Sequence, residues 1–202
     1  AGIRQGWGSA DLETGFSDRL SELQTTHESN VVLQATYDTR DTVGLPSRGS
    51  LLTARYLSSG AWLNGEQSYD QAEALLLKVL PFRGDALYVF TAGGAEFDGE
   101  TPPYALFSIG GINSFPGLAR QQLRGTSYWI SGASYNRNLG DIQRLFGQAV
   151  YGGLRLTAGD VGDRIDDVDD GNILGAALSL GGRSPIGPFL LSLGTTNNGF
   201  WE

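Results

Sequence analysis

The stretch Ile173-Leu174-Gly175-Ala176-Ala177-Leu178-Ser179-Leu180 alternates a leucine-rich set of positions with a set of mostly smaller residues. A period of two indicates a β-strand whose two faces meet different surroundings. After the turn Arg183-Ser184-Pro185-Ile186-Gly187-Pro188, the alternation returns in Phe189-Leu190-Leu191-Ser192-Leu193-Gly194. The serine, the two prolines and the glycine of that turn are residue types that tight turns favour. The whole stretch therefore predicts an antiparallel hairpin.

Period-two alternation recurs along the rest of the chain, whereas helical periodicity is hard to find. Soluble strands typically have about 5–6 residues, and a membrane-spanning strand needs about 9–11. Several of the predicted strands reach or exceed the membrane-spanning length. We predict strands at residues 1–13, 29–40, 47–58, 68–81, 85–96, 122–138, 144–158, 171–183 and 187–196, with a tenth beginning at 199–202. Glu73 and Lys78, on opposite faces of one strand, fit the pattern poorly.

The connections between these strands alternate between long and short. The long ones are 14–28, 59–67, 97–121 and 159–170, and the short ones are 41–46, 82–84, 139–143 and 184–186. Transmembrane barrels have short periplasmic turns and longer external loops. The sequence thus predicts an all-β fold, a transmembrane antiparallel β-barrel, as a single domain over residues 1–202. A soluble β-sandwich is the alternative.

Composition excludes several classes of function. The 202 residues include no Cys, no Met and one histidine, His27, so disulfides, thiolate zinc sites and His-rich metal sites are excluded. The net charge of −8 disfavours nucleic acid, which is bound largely through Lys and Arg. The 30 glycines are about twice the usual share of about 7% and lie within strands, which is typical of curved or closed sheets.

The connection at 97–121 is unusual in length and in composition. Connections beyond about 12–15 residues are uncommon in compact domains and often functional. Its middle, Leu106-Phe107-Ser108-Ile109-Gly110-Gly111-Ile112-Asn113-Ser114-Phe115-Pro116-Gly117-Leu118, is apolar, unlike a solvated loop. We expect it to fold into the barrel, with Phe115, Pro116 and Gly117 against inward residues such as Arg155 or Asp38.

A second motif ends one strand, turns and starts the next. It reads Tyr37-Asp38-Thr39-Arg40-Asp41-Thr42-Val43-Gly44-Leu45-Pro46-Ser47-Arg48-Gly49, with the spacing Tyr-Asp-x-Arg-Asp-x4-Pro-x2-Gly. Pairing between its Asp and Arg residues could order a tight hairpin. For the charges alone, an ordinary polar turn is the preferred interpretation.

No catalytic, metal or cofactor site is predicted. The acidic stretch from Asp160 to Asp170 does not match an EF-hand loop, because Val168 and Ala177 fall on positions that need oxygen ligands. A solvated external loop is the preferred interpretation. No Gly-x-Ser-x-Gly elbow accompanies His27, so a serine hydrolase site is not expected either.

Together, the two turns and the loop motif Gly110-Gly111-x-x-Ser114-Phe115-Pro116-Gly117-Leu118 resemble the C-terminal barrel of the bacterial surface antigen superfamily. These are outer-membrane insertases and translocases that often carry POTRA domains. The resemblance covers about residues 30–202. Pro116 stands where that superfamily has an arginine that packs against acidic residues of the lumen wall, and Arg120 and Arg124 are the candidates to replace it.

Within the superfamily, the chain is most similar to the barrel that anchors a patatin-like phospholipase. Gln122-Leu123-Arg124-Gly125 and Tyr135-Asn136-Arg137-Asn138-Leu139-Gly140 carry this likeness. The family barrel has sixteen strands, so the resemblance implies that this chain supplies the last ten. The upstream strands and any N-terminal domain would then lie outside it, with the last strand incomplete.

The resemblance implies an outer-membrane barrel that anchors and translocates a passenger polypeptide, with no catalysis by this segment. The expected partners are outer-membrane lipid, the passenger or client polypeptide and the barrel assembly machinery. Nucleic acid is not expected, and a homodimer is left open. A POTRA-bearing assembly insertase and a passive porin are the alternative functions.

Overall fold

The computed structural model describes residues 2–8, 26–43, 45–60, 67–99, 101–112, 114–139, 150–164, 171–184 and 187–197. Its strands are β1 (Gly2–Gly8), β2 (Thr26–Asp38), β3 (Gly49–Ser59), β4 (Tyr69–Phe82), β5 (Asp85–Gly99), β6 (Phe107–Ile109), β7 (Leu123–Gly125), β8 (Ser127–Asn138), β9 (Val150–Gly162), β10 (Ile173–Ser184) and β11 (Gly187–Thr196). Nine of them form one antiparallel sheet in the order β1-β2-β3-β4-β5-β8-β9-β10-β11. The prediction of an all-β antiparallel fold is confirmed.

Two strands lie outside this sheet. β6 pairs only with β7, which makes a short ribbon within the long connection between β5 and β8. The sequence predicted one strand over 122–138, but that segment is divided. Residues 123–125 pair with 107–109, and the main-sheet strand begins at Ser127. Three-residue strands are too short to show a period, so alternation could not reveal this division.

The other predicted strands occupy their expected places with ends shifted by a few residues. β5 continues to Gly99, past the predicted end at 96. The predicted segments at 9–13, 144–149 and 199–202, and most of the predicted loop 14–28, lie outside the described residues. No helix in the part of the chain that the structure describes is long and apolar enough to cross a membrane.

The outer face of the sheet is apolar and exposed. Leu154, Leu178 and Leu193 lie in register across β9, β10 and β11, and each is 48–63% exposed. The same face carries other exposed large apolar side chains: Leu33, Tyr37, Leu52, Tyr56, Leu76, Leu80, Val89, Trp129, Leu156, Leu174, Leu180 and Leu191. An apolar surface of this extent is not stable in water and is typical of a face in contact with lipid.

The opposite face, which we term the inner face, is more polar. Gln34, Arg55 and Glu73 lie in register there on β2, β3 and β4. Arg55 Nη1 and Glu73 Oε1 are 3.2 Å apart, so these charges are paired across the strands. The inner face also carries the only hydrophobic core cluster among the described residues. It forms where the long connection packs on the sheet, and it includes Ala92, Ile109, Phe115, Leu118, Leu123, Ile130, Val161 and Ile173.

Candidate functional site: a loop docked on the inner face

The connection between β5 and β8 folds back over the inner face instead of extending away from the sheet. Its tip, residues 114–118 with Gly110 and Gly111, is a compact turn. Gly111 N donates a 2.7 Å hydrogen bond to the Leu118 carbonyl, and Phe115 N donates one of 2.9 Å to the Gly111 carbonyl. These bonds close the turn on itself. The tip is therefore a compact turn held by its own backbone hydrogen bonds.

Phe115 is the main anchor of the tip and is 0% exposed. Its ring lies over Gly159 of β9 and Gly175 of β10, which we term the glycine socket. A methyl group at Gly175 would lie 2.8 Å from Phe115 Cε1, and one at Gly159 would lie 3.0 Å from Phe115 Cε2. Real Cβ atoms avoid contacts shorter than 3.0 Å, so Phe115 requires glycine at Gly175. At Gly159 a methyl group would also lie 2.7 Å from the Trp129 carbonyl oxygen and from Ile130 Cγ2, so glycine is required there too. Burial of an aromatic side chain of this kind contributes about 3 kcal/mol at most.

Gly117 brings the tip into direct backbone contact with β11. Its φ of +91° belongs to the left-handed region that glycine tolerates best. A methyl group there would lie 2.6 Å from the Thr195 carbonyl carbon. On the strand side, a methyl group at Gly194 would lie 2.6 Å from Gly117 N and 3.0 Å from Pro116 Cβ. Both glycines are needed because two backbones touch here with no side chain between them.

A charged residue of the sheet reaches the tip at its edge. Arg155 Nη2 on β9 donates a 2.7 Å hydrogen bond to the backbone carbonyl of Ser114. The Arg155 Cζ atom lies 4.4 Å from the centre of the Phe90 ring on β5, a cation–π distance. The structure therefore brings the predicted neighbour Arg155 to the loop, whereas Asp38 pairs with Arg40 near the β2–β3 turn instead.

The ribbon makes a separate contact with the sheet. The rings of Phe107 on β6 and Tyr128 on β8 have centroids 5.2 Å apart. A methyl group at Gly94 would lie 2.8 Å from Phe107 Cε1, so this glycine also leaves room for an aromatic ring of the loop. The docked loop thus has two aromatic anchors, Phe115 at the tip and Phe107 in the ribbon.

The loop leaves part of the inner face open. A cavity of 1140 Å³ lies between the ribbon and strands β2 to β4. Its lining includes Gln34, Thr53, Arg55, Glu73 and Leu75. The inner face therefore has a filled part, over β9 to β11, and an open part whose wall mixes amide, hydroxyl, paired charged and apolar groups.

The β2–β3 turn is ordered by its charged residues. Arg40 forms two side-chain hydrogen bonds with Asp38, Nε to Oδ1 at 2.9 Å and Nη2 to Oδ2 at 2.7 Å. Asp41 accepts a 2.9 Å bond from Ser47 N and a second bond from the Ser47 hydroxyl. The Ser47 bonds hold the pKa of the Asp41 carboxyl below its usual range.

Pro46 and Gly49 complete the same turn. Pro46 is buried, and its carbonyl accepts a 2.6 Å hydrogen bond from the hydroxyl of Tyr88 on β5. Gly49 has a φ of +113°, and a methyl group there would lie 2.6 Å from Arg40 Cα. The turn motif is therefore an ordered unit attached to the inner face, although it does not contact the loop tip in any described bond.

The remaining predicted site residues take up less central positions. The Arg120 side chain is exposed at the end of the tip, and Arg124 is half-buried on β7. Ser184 pairs with Gly187, and Pro188 pairs with Arg183, which closes the β10–β11 hairpin. Pro185 lies outside the described residues, as do residues 165–170 of the acidic stretch.

Sequence reasoning missed the three strand glycines that receive the tip: Gly159, Gly175 and Gly194. Their only signal was the excess of glycine within strands, which indicates close approach but not what approaches. It also missed Tyr88 as the partner of Pro46. Forty-two residues separate this pair, and no local pattern connects residues so far apart.

An antiparallel sheet with a lipid-facing apolar side and a long loop docked on its inner side defines a class, the bacterial outer-membrane barrel proteins. A family profile, described as the Omp85 superfamily domain, matches residues 4–198. The chain belongs to the Omp85 superfamily. It is an outer-membrane protein of the insertase and translocase type. The predicted location in the outer membrane is confirmed. No curated protein sequence matches the chain.

Proposed function

We propose that this chain is the membrane part of an autotransporter-type protein, which anchors a passenger polypeptide and provides its export path. The observation that supports this function is the unequal filling of the inner face. The docked loop occupies the side of β9 to β11, while the cavity of 1140 Å³ beside β2 to β4 stays open. A constriction loop that fills only part of a lumen leaves a path along the other wall.

The size and chemistry of this cavity suit an extended polypeptide. An extended chain occupies about 4.8 by 10 Å in cross-section and rises about 3.3 Å per residue, so the cavity corresponds to about seven residues. Gln34 and Thr53 can hydrogen-bond to any peptide group. The Arg55–Glu73 pair has no net charge, so the wall does not select strongly for one sign of charge.

The proposed passenger is a patatin-like phospholipase. Support comes from the segments 122–125 and 135–140, which resemble the barrels of that subfamily. It also comes from Gly117-Leu118, because the loop slot of that subfamily is often Ser-Gly-Leu/Tyr. The catalytic Ser–Asp dyad would then lie in the passenger. The residues encoded before Ala1 test this part: a Gly-x-Ser-x-Gly motif supports the lipase, and POTRA-like βααβ repeats support an assembly insertase.

Export itself is tested by narrowing the open cavity in the full-length protein. Thr53→Trp places an indole on the cavity wall, and Leu52→Trp places one on the outer face at the neighbouring position. We expect Thr53→Trp to reduce the fraction of passenger that an external protease can cleave. Leu52→Trp should leave that fraction close to the wild-type value. Equal export by both variants, with folded barrels, would contradict the proposed path.

The two alternative functions give different results in purified systems. An insertase accelerates the folding of a second outer-membrane protein into lipid vesicles, and an export channel does not. A passive porin conducts small ions equally well with and without added passenger, whereas an export channel is blocked by it. These measurements separate the three functions independently of the cavity variants.

A further inference from the structure

We infer that Arg155 is the residue that positions the loop, and that it holds the loop from the sheet through a backbone carbonyl. The inference starts from the bond between Arg155 Nη2 and the Ser114 carbonyl, 2.7 Å long. In this arrangement the charge belongs to the wall and the acceptor belongs to the loop. Arg155 is therefore a positioning residue. It acts on the open passage indirectly, by holding the loop in place.

Residues of the sheet also contact Arg155 and orient its side chain. Its Nε donates a 3.3 Å hydrogen bond to Thr157 Oγ1 on the same face of β9. Its guanidinium also lies over the ring of Phe90 on β5, 4.4 Å from the ring centre. Planar guanidinium groups suit such a combination of stacking and directed hydrogen bonds. The donor that meets the loop is thus oriented by residues of two strands.

A backbone acceptor makes this contact depend on the fold of the tip. The Ser114 carbonyl points at Arg155 only while the turn closed by Gly111, Phe115 and Leu118 is formed. Side-chain changes at Ser114 leave the carbonyl in place. The contact therefore reports the shape of the tip and not its side-chain chemistry.

The packing of the tip explains why the charge lies on the sheet. Pro116 is fully buried, and its Cβ would lie 3.0 Å from a methyl group at Gly194. There is no space for a long side chain at this position of the loop. Arg120, the nearest downstream cation, is exposed. A cation that approaches the tip edge from β9 avoids the crowded contact with β11.

The expected effect of removing the guanidinium is measurable as a population of undocked loop. A hydrogen bond with one charged partner contributes enough that its loss changes an equilibrium by about tenfold or more. Phe115 and Phe107 remain as anchors, so we expect Arg155→Gln to loosen the tip without unfolding the sheet. Arg155→Lys keeps a cation and a donor and should restore part of the docking.

Spin-label distances test this directly. The chain has no cysteine, so labels can be placed at Arg120→Cys on the exposed end of the tip and Leu156→Cys on the outer face of β9. Pulsed electron spin resonance on the full-length protein in detergent then gives the distance distribution. We expect one narrow distribution in the parent, a second, longer population about tenfold enriched in Arg155→Gln, and an intermediate result in Arg155→Lys.

Arg55→Gln is the matched control, because Arg55 is also an inner-face arginine but pairs with Glu73 instead of the loop. Heat-modifiable gel migration confirms that each variant is folded. An unchanged distribution in folded Arg155→Gln, or an equal change in Arg55→Gln, would overturn the inference. It rests on the proposed function only in linking the loop to passage, and the distances report the docking of the loop whether or not a passenger is exported. A failure of export and a failure of positioning are therefore distinguishable.

Discussion

The hydroxyl of Tyr88 on β5 donates a 2.6 Å hydrogen bond to the carbonyl of Pro46 in the β2–β3 turn. The bond spans β3 and β4 and attaches a turn at one end of the sheet to the inner face. Val79, which pairs with Tyr88 across β4 and β5, is 1% exposed beneath this region. The turn motif is thus attached to the packed interior through the buried Pro46, although most of its other residues are exposed.

Tyr88→Phe should therefore loosen the turn. The substitution removes the donor and leaves the buried Pro46 carbonyl without it, at a cost of about 1 kcal/mol. Urea unfolding in detergent micelles measures the change. Tyr37→Phe, an exposed tyrosine on the outer face, is the control and should be neutral. Equal stability of both variants would show that the Tyr88 bond contributes nothing.

Gly49→Ala should destabilise the protein more than Gly84→Ala. Both glycines have positive φ, +113° and +88°, so both substitutions carry a backbone penalty of about 1–2 kcal/mol. A methyl group at Gly84 meets nothing within 4 Å, whereas one at Gly49 lies 2.6 Å from Arg40 Cα. The difference between the two unfolding free energies isolates the steric part. We expect it to exceed about 1 kcal/mol.

Gly175→Ala should displace Phe115 from the glycine socket. Overpacking of this kind costs about 1–3 kcal/mol. Phe115→Leu in the same background gives the methyl group room. The double variant should therefore lose less unfolding free energy than the two single variants lose together. A double-mutant cycle on unfolding free energies checks this. Simple additivity would mean that the two residues do not share the contact.

The β2–β3 turn should keep its order to lower pH than an ordinary aspartate would allow. The Asp41 pKa lies below its usual value of 3.8 because Ser47 hydrogen-bonds to the charged form. The stabilisation is present above pH 3.8 and is lost as the pH falls through the lower pKa of the folded state. The Ser47 amide shift in an NMR titration should have its midpoint below 3.8. In Asp41→Asn this step should disappear, and a midpoint at or above 3.8 in the parent would contradict the assignment.

Leu178→Arg should be costly in a membrane. Leu178 is 63% exposed near the middle of β10 and faces outward. An arginine on the lipid side of a barrel strand costs about 2–4 kcal/mol at the bilayer midplane. Unfolding free energies in lipid vesicles measure this, and Leu178→Ala separates the charge from the lost apolar area. An unchanged unfolding free energy in Leu178→Arg would mean that this face does not contact lipid.

Strand positions could be predicted from the sequence because each strand has two environments. The alternation of Leu174, Leu178 and Leu180 with smaller residues reflects exposed and inward faces directly. Register could not be predicted in the same way. Glu73 fitted its strand poorly as an isolated charge, yet its partner Arg55 lies directly opposite on β3. Lys78, at the other end of that strand, donates a 3.0 Å bond to Ser50.

The loop motif was recognisable, but its docking was only partly predictable. The apolar run around Phe115 indicated that the loop is covered, because such a run is not stable in water. The covering surface is made of glycines, and a glycine has no side chain to mark its face. The contact is also non-local, since Gly117 meets β11 at Thr195, near the C-terminal end of the region that the family profile matches.

The contact between Gly117 and Gly194 has a consequence for the order of assembly. β11 is the last strand that the structure describes, and the tip cannot find its backbone partner until that strand has joined the sheet. Pairings so distant along the chain form late in folding. Seating of the loop therefore depends on β11: a chain truncated before this strand would lack the backbone partner of Gly117 and would carry an unseated loop.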